Sequence, residues 1–213
     1  MKVNKLYGII PARMSASRFP GKPLHLINGK PMIQHVIERS LKYKKWDKLY
    51  VTTCDKEIKK FSESIGCEVI MTSKSHKRAL DRVAEAAKII KSKNNDFVIC
   101  VQADEPMLTT NMIKAVIDPL IKYQKIKATV LGLNISNKTM FQNKDIVKII
   151  FNSFGKVLYT SRSPIPFVNS TFSEKLDLRR IGGIFGFRYK YLKLFVNQKE
   201  TRLEKLESCD SNR

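Results

Sequence analysis

Nothing in the 213 residues approaches the ~20 consecutive apolar positions that a bilayer span requires, so no membrane partner is expected. The opening stretch MKVNKLYGIIPAR has too short an apolar part for a secretory signal, and the expected location is cytoplasmic. The four cysteines, Cys54, Cys67, Cys100 and Cys209, form no CxxC pair, and His25, His35 and His76 form no HExxH. These absences exclude a zinc knuckle, a thioredoxin-type centre and a zincin site, and leave buried free thiols as the expectation. No internal repeat, low-complexity tract or flexible linker divides the chain, so one domain over residues 1–213 is expected. With 43% hydrophobic and 28% charged residues the composition is that of an ordinary globular protein. A chain of this length buries roughly 70% of its unfolded surface and needs no disulfide or structural metal to hold its core.

Acidic residues are scarce. Against 40 Lys+Arg there are 19 Asp+Glu, a net charge of +21, and such a surplus invites a nucleic-acid partner. The lysines, however, are spread along the whole chain, and no RNP, KH or zinc-finger pattern accompanies them. Handling of small anions, or a merely solvated surface, is the preferred expectation, with nucleic-acid binding as the remote alternative.

Apolar spacing reads as alternating strands and helices. Leu6–Ile10 predicts a strand, Ile33, Val36, Ile37 and Leu41 a helix face, and Leu49–Thr53 a second strand. Ile58, Phe61 and Ile65 mark the next helix, Glu68–Met71 a strand, Val83, Ala86, Ala87 and Ile90 another helix, and Phe97–Val101 a fourth strand. This rhythm predicts right-handed βαβ crossovers and an α/β fold with a mostly parallel sheet covered by helices on both faces. After Pro119 it changes: Ala128–Leu133, Ile146–Ile150 and Ile184–Phe187 read as strands in an irregular second half, with helices resuming near Tyr189 and Thr201.

Ligands of open α/β sheets gather at the carboxyl ends of the strands, and two segments there carry chemistry. The first, Pro11–Leu24 after strand one, contains Arg13, Ser15, Ser17, Arg18, Gly21, Lys22 and three prolines. That composition makes a rigid loop presenting backbone amides and cations to an anion, although no GxxxxGK[ST] or GxGxxG is present. A solvated basic turn is the alternative. The second is Val101-Gln102-Ala103-Asp104-Glu105-Pro106, which places two carboxylates at the mouth of a buried strand, where charge is costly without a partner. Mg²⁺ typically takes one or two carboxylates plus substrate phosphates, so Asp104 facing Arg13 and Lys22 would suit a metal-bound triphosphate. A helix cap or a plain ion pair is the alternative.

The segments IIPARMSASRFPGKPLHLINGKPMIQHV and VQADEPML, with HKRALDRVAEAAK, VKIIFNSFGKVLYTSRSPIPF and IGGIFGFR, closely resemble the 3-deoxy-manno-octulosonate (KDO) cytidylyltransferases, the CMP-KDO synthetases, along essentially the whole chain. The resemblance implies a Rossmann-like nucleotidyltransferase fold and a homodimer with contacts from the irregular half. It implies transfer of CMP from CTP to a sugar acid with release of pyrophosphate, for surface-polysaccharide or lipopolysaccharide precursors. It makes Arg13, Ser15 and Lys22 triphosphate-loop residues, Asp104 a Mg²⁺ ligand, Gln102 a neighbour of both substrates, and Arg162 and Glu207 sugar-side residues.

The chain departs from the family pattern at three places. Lys77-Arg78-Ala79-Leu80 stands between His76 and Asp81 where the family has Ser-Gly-Thr. Ile181 and Phe185 stand where it has a His and a Tyr, which points to a sugar acid related to KDO, unless Tyr189 and Arg180 supply the polar contacts. The sequence also stops at Arg213, before the family's last segment and its second metal-binding Asp, so a shortened domain is expected. A catalytically impaired nucleotide-binding homologue and another nucleotidyltransferase or glycosyltransferase of the same fold are the alternatives.

Overall fold

The computed structural model describes residues 4–15, 19–169, 172–173 and 176–213. In chain order it contains β1 (Leu6–Pro11), β2 (Leu26–Ile27), β3 (Lys30–Pro31), α1 (Met32–Leu41), β4 (Lys48–Thr53), α2 (Lys56–Ser64), β5 (Glu68–Met71), α3 (Ala79–Ile89) and β6 (Phe97–Val101). There follow α4 (Thr110–Lys122), β7 (Ala128–Asn134), α5 (Lys138–Gln142), β8 (Lys148–Phe151), β9 (Val157–Ser161), β10 (Arg179–Arg188), α6 (Tyr189–Val196) and α7 (Arg202–Glu207). The chain clusters into two units, residues 1–129 with 183–197, and residues 130–182 with 198–213. β10 contributes its residues up to Gly182 to the second unit and those from Gly183 onward to the first.

In the first unit β5, β4, β1 and β6 lie in that order, all parallel, and the last half of β10 runs antiparallel to β6 from Ile184 opposite Val101 to Arg188 opposite Phe97. These strands read as continuous apolar runs because both of their faces are covered; Ile9, Ile10, Val51, Val98, Ile99, Cys100 and Val101 have no exposed surface. The crossovers β1–α1–β4 and β4–α2–β5 step in one direction, whereas β5–α3–β6 steps back past two strands. Right-handed connection therefore places α3 on the face opposite α1 and α2. Helix α4, missing from the periodicity reading, runs through Pro119. The proline forfeits one helix hydrogen bond, but Ile113, Val116, Ile117 and Leu120 bury on one side of the helix and hold it. The Asn28-Gly29 pair makes the tight β2–β3 hairpin, both residues at positive φ, a two-residue turn signal the apolar spacing does not register. Cys67, Cys100 and Cys209 are buried and Cys54 half-buried, all as free thiols, and burial pushes Cys67 up to about 11.

In the second unit β9 pairs antiparallel with β8, and the first half of β10 pairs antiparallel with β8 through Arg179–Ile149 and Arg180–Lys148. β10 begins well before the expected Ile184, because arginines and glycines carry no apolar alternation. β8 begins at Lys148 rather than Ile146: the Ile146 N–H is spent in a turn on the Asn143 carbonyl. β9 exposes Val157 and Leu158 and buries Thr160 and Ser161, the reverse of the apolar-in pattern that marks a strand in sequence.

Two ionic groups tie this unit together. Lys148 is fully buried, and its ammonium donates to the carbonyls of Asn143, Ile146 and Arg162 at 2.7, 2.8 and 2.6 Å, one for each of its protons. The Glu207 carboxylate accepts from Ser161 Oγ (2.6 Å), Tyr159 Oη (3.1 Å) and the Arg162 N–H (2.8 Å). Arg162 in turn donates from Nε to Glu207 O, from Nη1 to Lys144 O and from Nη2 to Ser208 O. Burial raises the Glu207 pKa, but these hydrogen bonds outweigh it and hold the group below the usual glutamate value.

Since only the carboxylate accepts these bonds, Glu207 contributes stability in full above its unfolded pKa of about 4.3 and loses it as pH falls through the lowered folded value. Glu207→Gln should lower the unfolding free energy by about 1–3 kcal/mol near neutral pH, the worth of hydrogen bonds to a charged group. Urea denaturation of wild type and variant should give curves that converge in acid. A gap that stays constant down to low pH would show that the charge is not its source.

Candidate active site

β1 and β6 are neighbours whose onward connections leave in opposite directions, α1 back toward β4 and α4 away from it. Such a reversal opens a crevice at the carboxyl ends of the two strands, where neither connection covers them. A cleft of about 190 Å³ lies there, walled by Pro11, Ala12 and Arg13 after β1 and by Gln102, Ala103 and Asp104 after β6, with Lys22 opposite. Four of the residues singled out in the sequence thus converge on one cavity.

Each is positioned by local chemistry. Ala12 continues the β1 ladder by donating to Thr52 O, so Arg13 emerges at the strand's end. The Met14 N–H donates to Asp55 Oδ2 at 2.8 Å, and the Gly21 N–H closes back on Met14 O at 2.9 Å. Gly21, at φ 73°, turns the chain into a single 3-10 turn, Lys22–Leu24, whose Pro23 is buried. Lys22 Nζ reaches Asp104 Oδ2 at 2.6 Å. Ser15 is exposed at the rim of this loop, and Ala16, Ser17 and Arg18 lie outside the described residues. Among the described residues the Arg13 guanidinium and the Gln102 carboxamide have no protein partner, which leaves both able to bind a ligand.

The segment after β6 is locked against β10. Gln102 N donates to Gly183 O at 2.8 Å, and Gly183 N donates to Glu105 Oε1 at 2.9 Å. A Cβ at position 183 would stand 2.5 Å from Glu105 Cγ, so glycine is required by the close approach. Asp104, between these two anchors, is half-exposed and points to the cleft. The functional pair therefore divides: Glu105 is structural and Asp104 faces the ligand space.

The cleft continues into a smaller one of about 130 Å³ that shares Pro11–Arg13 and Ala79 and is lined by His76, Lys77, Arg78 and Arg82. Arg82 is buried, donating to Thr72 Oγ1 (2.7 Å) and Cys54 Sγ (3.5 Å). His76 is held by Glu85 at 2.5 Å. Burial raises the Glu85 pKa, but the Ser73 N–H, His76 and Arg82 together keep it below the usual value. The Lys77-Arg78 departure thus makes this extension strongly basic.

Asp104 is the carboxylate at the cleft that could hold a metal ion, and among the described residues no cluster of three or more His, Cys, Asp or Glu supplies a site from protein atoms alone. An ion at Asp104 would draw its remaining ligands from substrate oxygens, as Mg²⁺ commonly does.

The remaining predicted residues lie elsewhere. Arg162 and Glu207 are joined to each other in the second unit, in the clasp described above. Tyr189 is at the opposite end of β6 from Asp104: its N–H donates to Asp96 O and its ring is buried, so it supplies no contact at the cleft. Phe185, opposite Cys100, is buried, and Arg180 in the second unit donates to Ile181 O. Asp55, the loop anchor, was not anticipated, although a carboxylate directly after strand Leu49–Thr53 is the same signal that marked Asp104.

Residues 7–213 match the cytidylyltransferase family model. The 3-deoxy-manno-octulosonate cytidylyltransferase of Thermodesulfovibrio yellowstonii is 40% identical over 96% of this chain and 84% of its own length. The 8-amino-3,8-dideoxy-manno-octulosonate cytidylyltransferase of a Shewanella species is 39% identical over 96% of this chain and 83% of its own. The solved structure of a CMP:2-keto-3-deoxy-manno-octonic acid synthetase complexed with CTP matches with a TM-score of 0.88 at 31% identity, covering 98% of this chain and 84% of that one. The resemblance in the two cleft-forming motifs therefore extends to the whole sequence and fold, and the chain belongs to the cytidylyltransferase family.

Proposed function

We propose that the protein transfers CMP from CTP to the anomeric hydroxyl of a 3-deoxy-octulosonate-type sugar acid, releasing pyrophosphate. The observation that carries this reading is the convergence of Arg13, Lys22, Gln102 and Asp104 on one cleft at the β1/β6 crevice. The names of the relatives support the substrate class.

In this reaction the sugar oxygen bonds to the α-phosphorus as the bond from that phosphorus to the β-phosphate oxygen breaks. The hydroxyl proton passes to solvent and the electron pair leaves with pyrophosphate. Alignment and charge neutralisation on the leaving group carry most of the catalysis. Arg13, Lys22 and Ser15 line the loop that would receive the β- and γ-phosphates. Lys22 and Asp104 compensate each other; with nucleotide bound, Lys22 would meet a phosphate oxygen and the Asp104 carboxylate would be the group to hold Mg²⁺. Bound there, the ion supplies Lewis-acid neutralisation of the phosphate oxygens. Gln102, with an unspent carboxamide, is placed to orient either substrate. In this reading Arg162 and Glu207 serve the sugar side by shaping the second unit, their polar atoms being engaged in the clasp. A homodimer belongs to the reading too, supported by the exposed Phe154, Leu158 and Leu206 of that unit.

Pyrophosphate release from CTP with KDO and its 8-amino analogue tests the function directly. Ile181 and Phe185 replace the His and Tyr of the family pattern, and Phe185 is buried, so neither supplies a polar contact to a sugar hydroxyl. The 8-amino analogue, the acceptor in the name of the Shewanella relative, should compete with KDO in kcat/KM. A preference for KDO of more than ~100-fold would refute the altered acceptor. No release with any octulosonate would refute the function.

Asp104→Asn keeps shape and removes charge, and should abolish turnover while circular dichroism and the melting temperature stay at wild-type values. Turnover that survives at limiting Mg²⁺ would remove Asp104 from the metal. Arg13→Ala and Lys22→Ala should each cost at least ~10-fold in kcat/KM for CTP, about 1.4 kcal/mol of transition-state stabilisation. Unchanged CTP kinetics in both would leave the loop a solvated turn.

A further inference from the structure

A larger cavity of the first unit is at the other end of the sheet. About 660 Å³ in volume, it opens among the loops that precede β4 and β6, the segment after α4 and the start of α6. That is within the 300–1,000 Å³ usual for small-molecule sites and far more than the nucleotide cleft offers.

Its lining is basic and its one acid is partly spent. Lys45, Arg188 and Lys190 face a single carboxylate, Asp47, whose Oδ2 already accepts the Leu6 N–H at 2.7 Å. Asp96, close by in the same loops, is buried, accepts the N–H groups of Lys5 and Lys93, and forms no ion pair with Lys45, Arg188 or Lys190.

Arg188 is the telling group. It is only 7% exposed and lies 5.1 Å from the centre of the Phe97 ring. Nε donates to Ile126 O, and Nη2 to Leu120 O and Tyr123 O, which caps the carbonyl end of α4. Nη1 has no protein partner among the described residues, and no carboxylate pairs with the guanidinium. A buried cation without a counter-charge is costly, and an unspent donor facing a cavity is the natural place for an anion to meet it. Asn4, Asn95 and Gln124 add neutral donors around the same space, and Tyr43 and Leu6 an apolar wall. Lys44, Lys93, Lys125 and Lys127, in or beside the same loops, are exposed.

We propose that this cavity is a second anion site, distinct from the nucleotide cleft, that takes a phosphate ester: the phosphate meets Arg188 Nη1, Lys45 and Lys190, and the organic part lies against Tyr43 and Leu6. The ester is either a soluble metabolite or the headgroup of an anionic lipid.

The test uses the full chain with glycerol 3-phosphate as the soluble probe and phosphatidylglycerol vesicles, with phosphatidylcholine as control, as the lipid probe. Titration calorimetry on Arg13→Ala/Lys22→Ala, whose nucleotide loop is disabled, should still show saturable binding of the soluble probe or pelleting with the anionic vesicles. Lys45→Gln/Lys190→Gln, at positions that leave the core untouched, should weaken whichever binding is seen by at least ~10-fold, as expected for losing two charge-assisted contacts, with melting temperature and CTP turnover unchanged. Saturable binding of the free ester identifies a metabolite site; pelleting that the free ester does not reverse identifies a headgroup site. Binding unchanged by Lys45→Gln/Lys190→Gln, or neither probe bound at millimolar concentration and low salt, would overturn the proposal.

Discussion

Parallel pairing of β1 with β6 is the constraint on which the first unit depends. Both strands are buried on two faces, so their polar groups can be satisfied only by the ladder and their side chains only by helices above and below. Once β1 is fixed between β4 and β6, right-handed crossover decides which helix covers which face and leaves one uncovered end. The loop after β1 and the turn after β6 have no other place to go. Arg13 and Asp104, ninety-one positions apart, are brought to the same cleft by the sheet rather than by any local signal.

Charge management follows the same logic of scarcity. With few carboxylates available, those in the first unit's loops are spent on backbone amides: Asp55 on Met14, Asp47 on Leu6, Asp96 on Lys5 and Lys93. Asp104 instead pairs with Lys22, at a solvated pair of side chains where the Coulomb gain is modest and exchange for another partner is cheap. Lys148 shows the opposite solution, a buried ammonium satisfied by three carbonyls. The contrast separates cations held for architecture from cations available to anions, and the large positive charge is mostly of the second kind.

How much was legible in the sequence follows from where the signals are local. The β1–β6 half reads correctly because buried parallel strands are continuous apolar runs and their helices carry one apolar face. The second half reads only in part: the strand from Ala128 and the helices at Tyr189 and Arg202 are where expected, but β9 exposes Val157 and Leu158 while burying Thr160 and Ser161, β10 starts with two arginines and two glycines, and Lys148 hides in a core position that no hydropathy pattern would assign to lysine. At the cleft, residue chemistry with position after a strand identified Arg13, Lys22 and Asp104, while the family resemblance pointed to Gln102. Arg162 and Glu207 came only from family resemblance, and their engagement with carbonyls and hydroxyls depends on a fold that spacing cannot show. Asp55 was missed because its role is exercised on a backbone N–H forty-one residues away.

The contact between Gly183 and Glu105 has an evolutionary consequence. Any side chain at 183 collides with the glutamate, so position 183 can diversify only after 105 has been shortened; yet shortening 105 first strands the Gly183 N–H that the carboxylate satisfies. Neither single step is free, and the two positions are bound in reciprocal epistasis. The backbone that aims Asp104 is thereby guarded against single substitutions at either position.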